Sequence, residues 1–597
     1  MYVIIKNMKV EPADLDNRGG RARLSAEAIT TVHDAAIKNV ELVGSQVPNA
    51  APRSLRPVRG QIINATREGF YETSLAIPPL IDPGEYELTL RARDSEGYTG
   101  RAKTHLRITY RRPPYEGSID SPENRATLAK LAHAPIVPGN AVEVLWDGET
   151  ALARRLELIE SAKRQINLQN YVFAITGIGR QVYEALLPRL DKGVEANVLL
   201  NAGTQIPGAM LSTLRLSAHR ILAEIAGFLE DQGLTLGAKL SGEEVQKHLR
   251  AWKRQNVNLE LFGGSLFSKR GLAPQSESAP AAVWLVKMIK DSLGEDFFGE
   301  NSSEGDWRQQ AYRGPGGLPA IPLLDYAIHE KILLADARRA IVGGRNLSDE
   351  YFAPWIDVDV LLEGPVVKQV QRGFVRSFLE LAETAEPPTV ADLRPRLKTA
   401  GPSDVQFVQS RPWRGEYYTL NALVTAIQMA RKRVYAYSQY LVLPDGLLLD
   451  ALLDAAQRGV DVQIITNSQT AGQELYWSTG YFVSLNYFAR LLKAGIKIYL
   501  NPGTPEQEEK QPYLHAKEFL IDDELTMIGS FNLSTRSCFV ESENLVNIFD
   551  RRIAEDELAR FAAHRRDAVE VTPTFMRDAY REHRTTMEFA RSFELFF

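Results

Sequence analysis

Residues 1–112 alternate apolar and polar positions in short runs, YVIIKNMKV, NVELVGS, FYETSLAI, GEYELTLRARD and RAKTHLRITY, broken by the turn clusters NRGG, IDPGE and DSEGYTG. A period of two sets one face of each run against a core and the other in solvent, as in half-buried strands. The pattern predicts a separate β-sandwich domain over 1–112. RRPPYEGSIDSPEN (111–124) reads as a linker. Beyond it the spacing changes: helices are expected at 150–164, 419–431 and 446–458, and strands at INLQNYVF, ANVLLN (196–201), VYAYSQYLV and VQIITN (462–467). Such alternation builds βαβ units, so α/β halves with largely parallel sheets and helices on both faces are expected. They span 120–387 and 404–597, the second ending in a helical tail, with PPTVADLRPRLKTAGPSD (387–404) joining them.

The halves repeat one another. HEKILLADARRAIVGGRNLS (329–348) returns in register as HAKEFLIDDELTMIGSFNLS (515–534), a constant offset of 186 (515 − 329). Matching positions are His329 and His515, Lys331 and Lys517, Asp336 and Asp522, Gly343 and Gly529, Asn346 and Asn532, Ser348 and Ser534. His and Lys two apart on a strand share a side, so each copy is expected to present an imidazole and an ammonium together. Two copies face to face would surround one anionic group with two imidazoles, two ammoniums and two carboxamides, which suits a phosphodiester. Asp357 follows His329 by 28 residues, and Glu543 follows His515 by 28. Each carboxylate is therefore expected to orient the histidine of its own copy. A single His-x-Lys would read as a surface strand, but two copies agreeing at this many positions do not.

These residues resemble the phospholipase D superfamily, whose signature is a duplicated His-x-Lys-x4-Asp motif. VEVLWDGETALARRLELIESAKRQINLQNYVF (142–173), RAIVGGRNLSDEYF (339–352), WIDVDVLLEGPVV (355–367) and LHAKEFLID with IGSFNLSTRS (514–537) look like its bacterial cardiolipin synthase branch, over about residues 120–570. The resemblance implies two α/β halves packed face to face about a pseudo-two-fold axis. It implies a catalytic set of His329, Lys331, Asp336, His515, Lys517 and Asp522, with His329 as nucleophile and His515 as general acid/base. The near symmetry leaves those two roles exchangeable. PGEYELTLRARDSEGYTGRAKTHLRI resembles the last strands of bacterial immunoglobulin-like modules. That implies an accessory domain for positioning, or for binding a protein partner.

The chemistry follows from the side chains. Lys331 and Lys517, with Asn346 and Asn532 as amide donors, would bind the phosphoryl oxygens and stabilise charge built up at phosphorus. One imidazole attacks to form a phosphohistidine while the other protonates the departing oxygen, then activates water or an alcohol. No metal or cofactor is needed, because the lysines supply the positive charge. Asp336 and Asp522 are expected to brace the motif loop. Gly193 and Gly459 match at an offset of 266, so the first half carries 80 extra residues (266 − 186) before His329. They fall in two insertions, about 205–240 and 263–320. The first holds an amphipathic helix at 208–233, and the second places Trp284, Leu285 and Met288 where acyl chains could be met.

Composition narrows the partners. A net charge of −5 and no evident basic stripe weaken a nuclease reading, so nucleic acid is not the expected substrate. No stretch of about 18 apolar residues is present and the N-terminus lacks a secretory pattern, so a cytoplasmic, peripheral approach to a membrane surface is expected. Export without a cleavable signal stays open. The single cysteine, Cys538, rules out an intramolecular disulfide. The remaining histidines show no ligand spacing, so no metal site is predicted. The leading expectation is a phosphodiesterase or phosphatidyltransferase acting on phospholipid. The alternatives are a secreted or effector-type hydrolase, a metal-independent nuclease and a non-catalytic scaffold.

Overall fold

In the computed structural model the described residues are 2–45, 53–57, 68–174, 177–201, 257–262, 327–381, 395–443, 445–469, 471, 475–502, 512–539 and 541–591. The helix expected at 208–233, with Trp284, Leu285 and Met288, lies outside them. The alternating N-terminal runs do form strands. Val3–Glu11, Gly20–Thr30, Glu68–Ile77 and Arg56–Pro57 make one sheet; Asp14–Asp16, Thr99–Thr109, Gly84–Asp94, Ile37–Ser45 and Arg53–Ser54 make a second. Their apolar faces share one cluster that includes Leu24, Val40, Leu88, Leu90 and Leu106. Gly100 is required where the sheets meet, because a Cβ there would lie 2.0 Å from the Val3 carbonyl oxygen.

The rest is built from two runs of seven strands. The first comprises β1 (Val137–Leu145), β2 (Gln165–Asn170), β3 (Glu195–Asn201), β4 (Val257–Phe262), β5 (Ile332–Ala335), β6 (Arg339–Gly343) and β7 (Asp359–Glu363). The second comprises β8 (Ser403–Ser410), β9 (Arg433–Tyr437), β10 (Asp461–Asn467), β11 (Lys497–Asn501), β12 (Glu518–Ile521), β13 (Leu525–Gly529) and β14 (Glu541–Phe549). The spatial order is β4-β3-β2-β5-β6-β7-β1 in one run and β11-β10-β9-β12-β13-β14-β8 in the other. The sequence repeat is thus a repeat of topology, and β1 pairs with β8 to join the two sheets at their edges.

The sheets are mixed, which corrects the expectation of largely parallel ones. Within the two runs as described, β2, β3 and β4, and likewise β9, β10 and β11, run parallel. Strands β5 to β7 and β12 to β14 are antiparallel. Parallel pairing needs a crossover of a dozen or more residues, and the short connections after Ala335 and Ile521 permit only hairpins. One apolar cluster draws on both runs, with Val342, Val360, Phe374 and Phe378 meeting Leu520, Ile528, Val546 and Phe561. The opposite faces are covered by helices Gly148–Ser161 and Gly177–Leu190 in the first run, and by Tyr418–Met429, Leu447–Gln457 and Leu475–Lys493 in the second. The N-terminal strands touch this body too: Asp82 Oδ1 accepts from the Leu447 amide at 2.9 Å, at the start of a helix with no side-chain cap of its own.

Candidate active site

Neither His-x-Lys triplet lies in a regular strand, contrary to the strand geometry expected of them. Each leaves its hairpin and runs along the other half. The His329 amide donates to Ser542 O at 3.1 Å, and Ala327–Ile328 pairs with Glu541 and Ser542. The His515 amide donates to Ile356 O at 2.8 Å, beside a bridge between Ile356 and Leu514. The backbone partner of each histidine therefore lies one residue before the other half's carboxylate.

That register overturns the expected pairing within each copy. Nδ1 of His329 meets Glu543 at 3.0 and 3.1 Å, and Nδ1 of His515 meets Asp357 at 2.6 Å. The carboxylates cross between halves because a strand end carries its side chain to the chain laid alongside it, whatever the sequence distance. When ionised, such a carboxylate only accepts, so it keeps the proton on Nδ1 and leaves the Nε2 lone pair free. Burial pulls His515 down to about 3, helped by Lys517, and pulls His329 well below its usual value, so both rings are neutral near pH 7. Burial pushes Asp357 up, but His515, Lys517 and Arg345 together override it and hold the group ionised. Glu543 is pushed by burial up to about 7, against the pull of Lys331 and of Ser530 and Ser537, whose hydroxyls donate to its two oxygens.

Both lysines are buried, and each Nζ donates to the carbonyl of its own histidine. Burial pulls Lys331 down to about 8 against the nearby carboxylates of Glu543, Glu541, Asp357 and Glu330. It pulls Lys517 to about 7, with Lys331 adding to the effect. Lys331 also lowers His515, and Lys517 lowers His329, so each lysine acts on the histidine of the other half.

Several residues of this arrangement carry no motif signal. Arg345, fully buried, donates to the carbonyls of Leu145, Tyr351, Trp146 and Asp357 and to Asp359, pinning the segment that brings Asp357 to His515. A Cβ on Gly344 would lie 2.1 Å from Asp357 Oδ1; at the matching position (344 + 186) stands Ser530, which donates to Glu543. The ring of Tyr171 lies 4.9 Å from that of His329, and Tyr351 and Trp355 lie 4.8 and 5.8 Å from His515. Their aromatic character was visible in the sequence; their place beside a histidine was not, for Tyr351 and Trp355 belong to the opposite half.

The two carboxamides are not equivalent. Asn346 Oδ1 accepts from the Val172 amide at 3.1 Å and the side chain also meets Tyr351, whereas Asn532 is fully buried with neither amide atom partnered among the described residues. Asp336 and Asp522 lie apart from this cluster. They stand at the far ends of β5 and β12, about 16 Å of strand from the lysines. Asp336 accepts from the amides of Lys163, Arg164 and Gln165, and Asp522 from those of Arg431, Lys432 and Arg433. Among the described residues, His329, Glu541 and Glu543 bring donor atoms within 4.8 Å of one another. Those atoms serve each other and Arg536, which pairs with Glu541 at 2.9 Å.

Two neutral imidazoles braced by opposed carboxylates over two buried lysines, on a duplicated α/β frame, define the class: the chain belongs to the phospholipase D superfamily. Within it the likeness is to the bacterial cardiolipin synthases. Residues 423–565 match the family model described as cardiolipin synthase, PLD-like domain. The major cardiolipin synthase of Bacillus subtilis (strain 168) is 24% identical over 436 residues, 72% of this chain and 70% of that protein. Cardiolipin synthase A of Yersinia pseudotuberculosis serotype O:1b (strain IP 31758) is 32% identical over 257 residues, 40% of this chain and 49% of that protein. The crystal structure of phosphatidylserine synthase from Haemophilus influenzae Rd KW20 covers 79% of this chain and 99% of its own, at 11% identity and a TM-score of 0.47.

Proposed function

We propose that this protein is a phospholipase D-type phosphodiesterase and phosphatidyltransferase, acting on phospholipid through a phosphohistidine. The observation that carries the reading is the crossed pair of histidine–carboxylate contacts beside two buried lysines. His329 attacks phosphorus through Nε2, and His515 protonates the departing oxygen and then takes the proton of the incoming water or alcohol. Lys331, Lys517 and Asn532 bind the phosphoryl oxygens, with Asn346 bracing its loop. The role of acid/base suits His515, because the ionised Asp357 stabilises the imidazolium that forms there. The relatives named cardiolipin synthase and the net charge of −5 both favour lipid over nucleic acid.

We read residues 120–387 and 404–597 as pseudo-two-fold halves around one phosphorus, and 1–112 as an immunoglobulin-like accessory domain. Among the described residues no helix is long and apolar enough to cross a membrane, and we propose peripheral contact with a lipid surface. Incubation with phosphatidylglycerol, phosphatidylethanolamine and plasmid DNA, with and without EDTA, tests the function. Cardiolipin reports transfer, and phosphatidic acid alone reports hydrolysis. Nicked DNA beside untouched lipid overturns the reading.

A further inference from the structure

The two histidines have different neighbours at matching places. Ile166 pairs with Ala335, and Val434 with Ile521, so the strands before each motif correspond at an offset of 268 (434 − 166). Tyr171 therefore matches Gln439 (171 + 268). Tyr171 packs against His329, and its ring lies 5.1 Å from Lys331 Nζ; Gln439 is its counterpart in the repeat, just past the end of the strand that precedes the second motif. Independent contacts agree. Asn467 Nδ2 donates both to Gln439 O at 3.0 Å and to Leu514 O at 2.7 Å, tying Gln439 to the residue before His515. The Leu533 amide donates to Ser438 Oγ at 3.1 Å, which sets Asn532 next to the same turn.

Gln439 is 5% exposed and its Oε1 has no hydrogen-bond partner among the described residues; the fully buried Asn532 Oδ1 has none either. An unmatched buried acceptor is unfavourable until a donor reaches it. Gln439 and Asn532 thus offer two unmatched acceptors near one turn, which Asn467 ties to the residue before His515. Around His329 the matching positions hold Tyr171 (for Gln439), Ser537 (for Tyr351) and Glu541 (for Trp355), so the two histidines are flanked by different side chains.

We infer that Gln439, together with Asn532, determines specificity for the alcohol that enters on the His515 side, in line with His329, selecting acceptors that carry a second hydroxyl beside the reacting one. The inference rests on the transfer reaction proposed above and deepens it. As the Nε2–phosphorus bond to His329 breaks, the acceptor's first oxygen bonds to phosphorus and its proton passes to Nε2 of His515. The neighbouring hydroxyl keeps its proton and donates it to Gln439 Oε1. A site built to hydrogen-bond a hydroxyl discriminates strongly against an acceptor that lacks one.

The test uses the full chain with bis(4-nitrophenyl) phosphate, a non-lipid phosphodiester, so that it reads the acceptor site whether or not phospholipid proves to be the natural donor. Glycerol and 1-propanol compete for the phosphoenzyme, and the ratio of their adducts is measured within each variant, which cancels any general loss of turnover. Gln439→Leu should lower the glycerol-to-propanol ratio by about tenfold or more, while Gln439→Glu, which keeps an acceptor oxygen, should stay within about threefold of the parent. An unchanged ratio in Gln439→Leu overturns the inference. So does a parent enzyme that forms no glycerol adduct while releasing 4-nitrophenolate.

Discussion

Replacing Asp357 by Asn preserves the shape of the side chain and removes one buried charge 2.6 Å from Nδ1 of His515. That charge matters only when His515 is protonated. At about 4 Å between charge centres and an effective permittivity of about 20, the lost attraction is about 4 kcal/mol, or about a thousandfold in any step that forms the imidazolium. With a 4-nitrophenyl phosphodiester the leaving group needs no acid, so attack by His329 should proceed. Activation of water by His515 should not. Rapid-quench measurement of Asp357→Asn should therefore give a burst of close to one nitrophenolate per enzyme, a covalent adduct that survives an alkaline quench and is lost in acid, and a steady state about a thousandfold slower. Glu543→Gln acts on the nucleophile instead and should lose the burst. The opposite outcome, burst lost in Asp357→Asn and kept in Glu543→Gln, would refute the assignment of the two histidines on which the mechanism stands.

Other consequences can be checked separately. Because burial holds Lys517 at about 7 and Lys331 at about 8, kcat/KM should fall as pH rises through that range, as the free enzyme loses the protons that neutralise phosphate. The alkaline limb of kcat should lie at higher pH, since bound phosphate stabilises both ammoniums. Gly344→Ala drives a methyl into the Asp357 carboxylate and should cut kcat by about a hundredfold with little change in Tm; full activity would argue against the tight packing at that position. Asp336→Ala strips three backbone amides of a charged acceptor and should cost about 3 kcal/mol in a denaturant titration, leaving the folded variant active. Asn532→Ala should lower kcat while Asn346→Ala should lower stability first, read by parallel kinetic and thermal measurements.

The frame was legible because its signals are local. Alternation before residue 112 and the glycines at 193 and 459 mark strands and turns that neighbours along the chain decide, and the duplicated motif announces a repeated unit. The crossed carboxylates were not legible. The equal spacing of 28 residues suggested partners within a copy, yet the contact is made by a chain laid against another half, which no sequence interval encodes. The same holds for Arg345, whose donors reach carbonyls as distant as Leu145, and for Tyr351 beside His515. The inequivalence of Asn346 and Asn532 escaped for a different reason: identical letters in a repeat say nothing of whether Val172 offers its amide to one of them.

The exchange of Glu543 and Asp357 between the repeats also bears on how such a chain can evolve. Neither repeat owns a complete catalytic unit, so a lesion in one carboxylate disarms the imidazole of its sister. The two copies are thereby bound to drift as a couple, and a lone ancestral copy could have worked only as a dimer of itself.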